Sequence, residues 1–377
     1  MIPLALYIHI PWCIRKCPYC DFNSHKSPDT LPEDHYIQAL IADFQSDIDL
    51  IQNRKISSIF IGGGTPSLFS ANAYERLFKA LHAIIPFGDQ IEITLEANPG
   101  TVEQQRFKDY RSLGINRLSL GIQSFNPRHL TALGRIHDDA QAKQAIHTAR
   151  LAGFDNINLD IMHSLPNQSV QQGIEDLQTA IHFEPEHLSW YQLTIEPNTV
   201  FYKKPPPLPN EDTSSLLEET GLELLNQNGY TRYEISAFCK PDKPSYHNLN
   251  YWLFGDYLGI GAGAHGKLTT QDYVVWRTRK HRQPKDFLAL EKSFYADKQS
   301  VTPDDLIFEF MLNTSRLQQP ISLNLFSQRT GLSLKWLMPK LKHAESMGFI
   351  KVNGKTWQVT PLGRRFTNDL QGLFLSG

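Results

Sequence analysis

Cys13, Cys17 and Cys20 fall within eight residues, spaced Cys-x3-Cys-x2-Cys, while the fourth cysteine, Cys239, stands alone. Disulfides across such short loops would be strained, and a secreted disulfide framework scatters its cysteines more widely. Clustered thiols in a reducing compartment point instead to metal or redox chemistry. Three thiolates on one loop suit a cubane [4Fe–4S] cluster, because a loop wraps a compact multi-metal ion better than a helix or strand. Phe22 and Asn23 follow Cys20 without another thiol. One iron would then stay open to an exogenous donor. The competing reading is a structural zinc site with His25 or Cys239 as fourth ligand, although no second Cys or His knuckle follows the first.

A second set of chemistry-bearing residues stands at the ends of apolar runs. It comprises Tyr7 and His9, then Gly62-Gly63-Gly64-Thr65-Pro66, then Glu96, Gln123 and Asp160. The glycines let backbone approach a ligand without side-chain obstruction, or form an ordinary turn with Thr65 as a helix N-cap. The run lacks the spacing of a dinucleotide fingerprint or a P-loop. Glu96 and Asp160 end hydrophobic strands, where an unpaired carboxylate is costly, so each should meet a cation, a hydroxyl or a backbone donor. Arg135 is a candidate partner, for a ligand carboxylate or for an ion pair bracing adjacent loops.

These residues need strands that end together. Runs at 4–11, 57–61, 92–97, 117–122, 156–162 and 187–194 are rich in β-branched and aromatic residues, and helical spacing fills the gaps, as in Tyr74-Leu77-Leu81-Ile84. Repeated strand-then-helix units imply a parallel sheet with right-handed crossovers. Six units are too few for a closed eight-stranded barrel, so the expectation is α/β, a partial (β/α)6 TIM-like barrel over 1–200. A doubly wound sheet is the alternative. Residues 201–295 read as an extension: a proline-rich segment at 203–209, a helix at 214–227, a strand at 230–236, and a stretch dense in His, Asn, Trp and Gly at 247–266. Residues 296–377 read as a small winged-helix-like α+β domain, with helices at 321–331 and 333–347 and a hairpin around Asn353-Gly354.

Composition narrows the class. The 377 residues are 41% hydrophobic with 37 basic against 39 acidic side chains, which is globular and nearly neutral. From Val301 onward nine Lys/Arg face five Asp/Glu, thin for a phosphate-binding face, so no nucleic-acid partner is expected. Trp336, Leu337, Leu341 and Met347 look like a packing face. No apolar run nears the roughly 20 residues of a membrane span, and the N-terminus lacks the basic region of a signal peptide. The expected location is cytoplasmic.

The run Tyr7-Ile-His9-Ile-Pro-Trp-Cys13-x3-Cys17-Pro-Tyr19-Cys20 resembles the signature of the radical S-adenosylmethionine superfamily. More narrowly, the chain is similar over nearly its whole length to the anaerobic coproporphyrinogen III oxidase-like family, and within it to a heme-chaperone branch. The resemblance implies S-adenosylmethionine chelated at the open iron. It places Tyr7, Gly63 and Glu96 around that molecule. It places Tyr19, Asp21, Gly64, Thr65, Gln123, Arg135 and Asp160 around a second one, as in the oxidase. Phe22 stands where the oxidase carries a further cysteine, and the oxidase's N-terminal extension has no counterpart before Cys13; both features resemble the chaperone branch. His247-Asn-Leu-Asn-Tyr251-Trp252 matches that branch's His-Asn-x-x-Tyr-Trp motif, which implies heme as cargo, with Cys239 as a further possible contact. The alternative for the motif is a loop closing the barrel's open edge. Arg277-Thr-Arg279-Lys280-His281-Arg282 reads as solvated surface or an anion contact, for which porphyrin propionates are one candidate. The leading function is transfer of heme to an acceptor protein, with an electron donor if the cluster is reduced. Oxygen-independent coproporphyrinogen oxidation and an iron–sulfur winged-helix regulator are the alternatives.

Overall fold

The computed structural model describes residues 1–289 and 293–375, with backbone alone at 101–105. Six parallel strands form its centre: β1 (Leu4–Ile10), β2 (Ile56–Gly63), β3 (Phe87–Ala97), β4 (Arg117–Gln123), β5 (Ile157–His163) and β6 (His187–Gln192), each paired to the next. Each expected apolar run coincides with one of them to within a few residues. Helices return the chain between strands, among them Ala71–Ile84, Asp139–Leu151 and Val170–His182. Their starts are chemically marked. Ser70 accepts from the Ala73 N–H, and Asp138 and Ser169 form reciprocal capping boxes with Gln141 and Gln172.

The strands alternate apolar and polar faces. Leu118, Leu120, Leu159 and Ile161 are fully buried in the main core. Between them in sequence stand Ser119, Asn158 and Asp160, so one face of β4 and β5 is polar. A TIM-barrel interior is normally filled by branched apolar layers. A polar inner face is the first sign that this lumen is built for a ligand.

β1 and β6 do not pair, so the barrel stays partial, and the sheet instead grows at both edges to twelve strands. Beyond β6 lie β8 (Ala237–Cys239) and β7 (Thr231–Arg232). Of the single strand expected at 230–236 only Thr231–Arg232 is strand; the chain then turns and pairs again at Ala237–Cys239. Glu234 accepts from the Ser236 N–H at 2.9 Å and Arg232 Nε donates to the Ile235 carbonyl at 2.9 Å, which turns the chain. Beyond β1 lie β9 (Asp256–Ile260), parallel to it, then antiparallel β10 (His265–Thr269), β11 (Val275–Lys280) and β12 (Tyr295–Ser300). The main sheet therefore runs to Ser300.

This extension is pinned by buried charges. Asp256 takes Arg54 at 2.7 Å and Lys267 at 2.8 Å, and Lys280 bridges Asp43 at 2.5 Å and Asp47 at 2.9 Å. Buried charges persist only when paired, and removing one partner is strongly destabilising.

The C-terminal residues form a separate apolar core around Phe310, Phe326, Leu337, Leu341 and Trp357. The hairpin appears as expected, Ile350–Asn353 against Thr356–Val359, with Gly354 at φ +60° in its turn. The expected packing face of the helix Leu334–Ser346 divides: Leu337 and Leu341 are buried, whereas Trp336 and the following Met347 are 54% and 44% exposed. Among the described residues, no helix is long and apolar enough to cross a membrane.

Candidate functional site

The cysteine loop is tied into the barrel mouth from both ends. Trp12–Cys13 pairs with His25–Lys26 in a short parallel ladder that closes the loop at its base. The glycine run after β2 docks against it: the Gly64 N–H donates to the Ile10 carbonyl at 2.7 Å and the Thr65 N–H to the Trp12 carbonyl at 2.8 Å. Gly64 is needed here, because a Cβ would lie 2.5 Å from the Trp12 oxygen. Gly63, at φ +111°, would press a Cβ to 2.5 Å from the His9 ring. Asn23 closes the far side, its amide donating to the Ala262 and Arg282 carbonyls, both at 2.9 Å. The Asn23 carbonyl accepts from His9 Nε2 at 2.8 Å, which leaves His9 Nδ1 to accept from the Tyr7 hydroxyl at 3.0 Å. Burial holds His9 neutral, its pKa lowered to about 4.

Cys13, Cys17 and Cys20 are free, half-buried thiols on one cavity of about 500 Å³. Burial pushes the Cys13 and Cys20 thiols up, partly offset by hydrogen bonds from Thr65 to Cys13 and from Ser24 to Cys20. Cys17 Sγ lies 3.5 Å from the Arg135 guanidinium. Among the described residues, no three His, Cys, Asp or Glu side chains are drawn together around a single-ion position. Neither His25 nor Cys239 borders the cavity: His25 Nε2 lies 3.3 Å from the Arg282 carbonyl, and Cys239 is buried on β8 with its thiol pushed up to about 11. Three thiols spaced around an open volume, with no fourth, fit a cube that leaves one iron free.

The remaining expected residues converge on the same space. Tyr19, Asp21, Gly63, Gly64, Thr65, Glu96, Gln123, Arg135 and Asp160 all line that cavity, and Tyr7 lines an adjoining one. Among the described residues, Glu96 accepts only the Gly63 N–H, at 3.1 Å. Its pKa is pushed up to about 8, first by burial and then by the nearby Asp160. Asp160 is also raised by burial, against hydrogen bonds from Asn158 at 2.8 Å and Ser119 at 3.0 Å. Arg135 donates to Asn98 at 2.6 Å and to the Gly121 carbonyl at 2.7 Å, while its buried Nε has no partner among the described residues. Gln123 sits at φ +70°, a strained conformation for a side-chain-bearing residue, and accepts from the Tyr191 hydroxyl at 2.9 Å. Thr65 caps no helix N–H; its hydroxyl accepts from Asn98 at 3.0 Å. Buried carboxylates on one side and a guanidinium on another suit a zwitterion carrying both an ammonium and a carboxylate. Tyr191, Ser119, Asn158, Asn98 and Asn23 were not singled out in the sequence. Ser119 and Asn158 were accessible through period-two alternation on their strands, whereas Asn98 and Asn23 sit on loops with no pattern.

The helix Tyr246–Trp252 separates the three residues expected to meet heme. His247 and Tyr251, four apart, share a face: His247 Nε2 lies 3.1 Å from the Tyr251 hydroxyl and Nδ1 lies 3.1 Å from Ser58 Oγ. His247 is 1% exposed and burial lowers its pKa to about 3. Tyr251 reaches the adjoining cavity. Trp252 turns away to the C-terminal domain, under the Arg316 guanidinium at 4.3 Å from its ring centroid.

Residues 7–180 match the Radical SAM superfamily and residues 301–366 the HemN C-terminal domain. Heme chaperone HemW of Haemophilus influenzae is 50% identical over 99% of this chain and 98% of its own; that of Escherichia coli is 47% identical over the same shares. Heme chaperone HemW of Bacillus subtilis is 35% identical over 98% of this chain and 99% of its own. Among solved structures, coproporphyrinogen III oxidase (HemN) from Escherichia coli, described as a radical SAM enzyme, superposes with a TM-score of 0.83 at 24% identity, covering 99% of this chain and 90% of its own. The fold is thus shared with HemN. The superfamily implies a [4Fe–4S] cluster and S-adenosylmethionine, groups that the three thiols and the zwitterion-matched cavity fit. The chain belongs to the HemW family of the radical SAM superfamily.

Proposed function

We propose that this chain binds heme and hands it to an acceptor protein in the cytoplasm, with a [4Fe–4S] cluster on Cys13, Cys17 and Cys20 and S-adenosylmethionine at the open iron. The observation that carries the cofactor assignment is convergence. Twelve of the thirteen residues expected for cluster and nucleotide, scattered from Cys13 to Asp160, line one cavity, and the thirteenth, Tyr7, lines its neighbour. The heme assignment rests on relatives up to 50% identical end to end that are named heme chaperones.

Bound there, cluster and nucleotide supply one-electron chemistry. The protein's own residues bind and orient. The glycine run brings backbone against the ligand, Arg135 offers charge to a carboxylate, and Glu96 gives up its proton when a cation arrives. Tyr7, hydrogen-bonded to neutral His9, lines the adjoining cavity. Tyr19, Asp21, Gln123 and Asp160 complete the polar mouth. An electron-donor protein is required wherever the cluster is reduced.

The test is a hemin titration of anaerobically reconstituted protein, read at the Soret band. Stoichiometric binding by a preparation containing iron and acid-labile sulfide supports the proposal. A zinc-loaded or colourless preparation removes the cluster, and decarboxylation of coproporphyrinogen without heme binding replaces the chaperone with an oxidase.

A further inference from the structure

On the outer side of the cysteine loop lies a hollow of about 210 Å³. Its walls are the cysteine loop, residues 98–100 after β3 and residues 134–137; among the described residues, none of the lumen groups Ser119, Asp160 and Tyr191 borders it. Arg15, Cys17, Thr65, Asn98 and Arg135 line both this hollow and the thiol cavity. A single layer of side chains therefore separates the thiols from the outer surface here. The volume is below the range typical of a small-molecule site, but it admits one or two side chains of a docked protein.

The rim of the hollow is apolar and positively charged. Ile14 and Ile136 border it and are 49% and 56% exposed. Single exposed aliphatics are ordinary, but these two come from segments far apart in sequence, and the fold brings them to one place. Arg15 between them is exposed, with no acidic partner among the described residues. Lys16 is exposed as well, and its ammonium meets only neutral acceptors among the described residues, the Phe22 and Ser24 carbonyls at 3.0 and 3.4 Å. The carboxylates nearest in sequence are engaged or face elsewhere. Asp138 accepts from the Gln141 N–H at 2.8 Å, Asp139 pairs with Lys143 at 3.1 Å, and Asp21 lines the thiol cavity.

We propose that this face is the docking surface for a small acidic electron-carrier protein, with Ile14 and Ile136 as apolar anchors and Arg15 and Lys16 meeting carboxylates of the partner. The inference rests on the cluster reading above and adds the side from which the cluster is reduced. Electron tunnelling falls steeply with distance, so a donor must sit where the fewest atoms separate its redox group from the thiols. The barrel mouth is the other approach, and the nucleotide occupies it. The outer hollow lets donor and nucleotide be bound together. The step is a single electron: the donor, a low-potential flavin hydroquinone or reduced iron–sulfur protein, is oxidised by one electron and the cluster is reduced by one, with no bond formed or broken. Redox encounters use small interfaces, and unpaired cations around two aliphatic anchors steer an acidic partner into place.

The experiment uses the full-length reconstituted protein without oxygen, and an acidic flavodoxin as the probe. Calorimetry reads binding of the oxidised flavodoxin, and stopped-flow bleaching of the cluster absorbance reads reduction by its hydroquinone. Arg15→Glu and Ile136→Ser are each expected to weaken binding and slow that reduction by about tenfold, with iron and acid-labile sulfide at the level of the unmodified protein. Reduction by dithionite, which needs no docking face, should keep its rate. Trp336→Ala, exposed on the C-terminal domain, should change neither reading. Unchanged binding and reduction in both variants overturn the proposal, as does an equal slowing with dithionite, which puts the defect in the cluster. Loss of self-association in sedimentation, with flavodoxin binding kept, gives the face to a second copy of this chain instead. Failure of the unmodified, cluster-containing protein to bind the flavodoxin also overturns the proposal, whereas a preparation without iron and sulfide overturns the reading on which it rests.

Discussion

The mouth and the floor of the partial barrel are both rich in polar side chains, yet they treat them in opposite ways. On the floor most such groups are closed, Thr94 Oγ1 and Arg117 Nε excepted. Glu92 accepts the His247 and Tyr246 N–H groups at 2.9 and 3.2 Å, and His187 bridges Asn158 at 2.6 Å and Tyr233 at 2.8 Å. At the mouth, among the described residues, the groups are left short: three free thiols, Glu96 with one backbone donor, and Arg135 with an unpartnered Nε. Burying polar atoms without partners costs free energy. At the mouth the groups left short line one cavity together, and the fold reserves them there for ligands. Residue type alone, histidine against histidine or glutamate against glutamate, does not separate the two roles. Closure does.

The sharpest way to break this contrast is at the thiols. Cys13→Ala, Cys17→Ala or Cys20→Ala should each reduce bound iron and labile sulfide to background, while the melting temperature of the cluster-free chain stays within a few degrees, since no packed core is removed. A melting temperature that collapses with the thiol would make the loop structural. The floor should answer in the reverse sense. His247→Ala leaves Ser58 and Tyr251 without their shared partner inside the core, and urea unfolding should show a loss of about 2–4 kcal/mol, with cluster content preserved.

Glu96 tests the mouth through pH. Its carboxyl is raised from 4.5 to about 8 in the folded, ligand-free protein. The folded state therefore holds a proton that the unfolded state has released, and stability falls as pH rises from about 4.5 to about 8, by up to about 5 kcal/mol. Glu96→Gln should flatten that slope and weaken S-adenosylmethionine at least tenfold by calorimetry. A slope that survives the substitution assigns it to other groups, of which Asp43 (about 7) and Asp176 (about 6) are the candidates. The smallest effect belongs to Asn23→Ala. Losing two amide contacts should cost about 1–2 kcal/mol and raise the mobility of the cysteine loop, seen as faster amide hydrogen exchange across residues 14–24.

Much of this was legible beforehand. The thiol spacing is local, so cluster and open iron follow from a few adjacent residues. The six strands follow from apolar runs, and the glycine, glutamate, glutamine and aspartate at their ends follow from the rule that parallel strands deliver loops to one mouth. What was not legible was long-range pairing. Nothing near Asp256 announces that it will lie beside Leu4, and that pairing carries His265 and Arg282 to the cluster loop. Nor does a six-residue motif reveal that its helix sends His247 to the barrel floor and Trp252 to another domain.

By itself, then, the sequence determined the identity of the donors and the rhythm of the elements, because both are written in neighbouring residues and in periods of two and 3.6. Only the tertiary structure decided which polar groups are closed and which are open. That property belongs to pairs of atoms contributed by segments up to some 250 residues apart, as Asn23 and Ala262 show at 2.9 Å, and no local pattern encodes it.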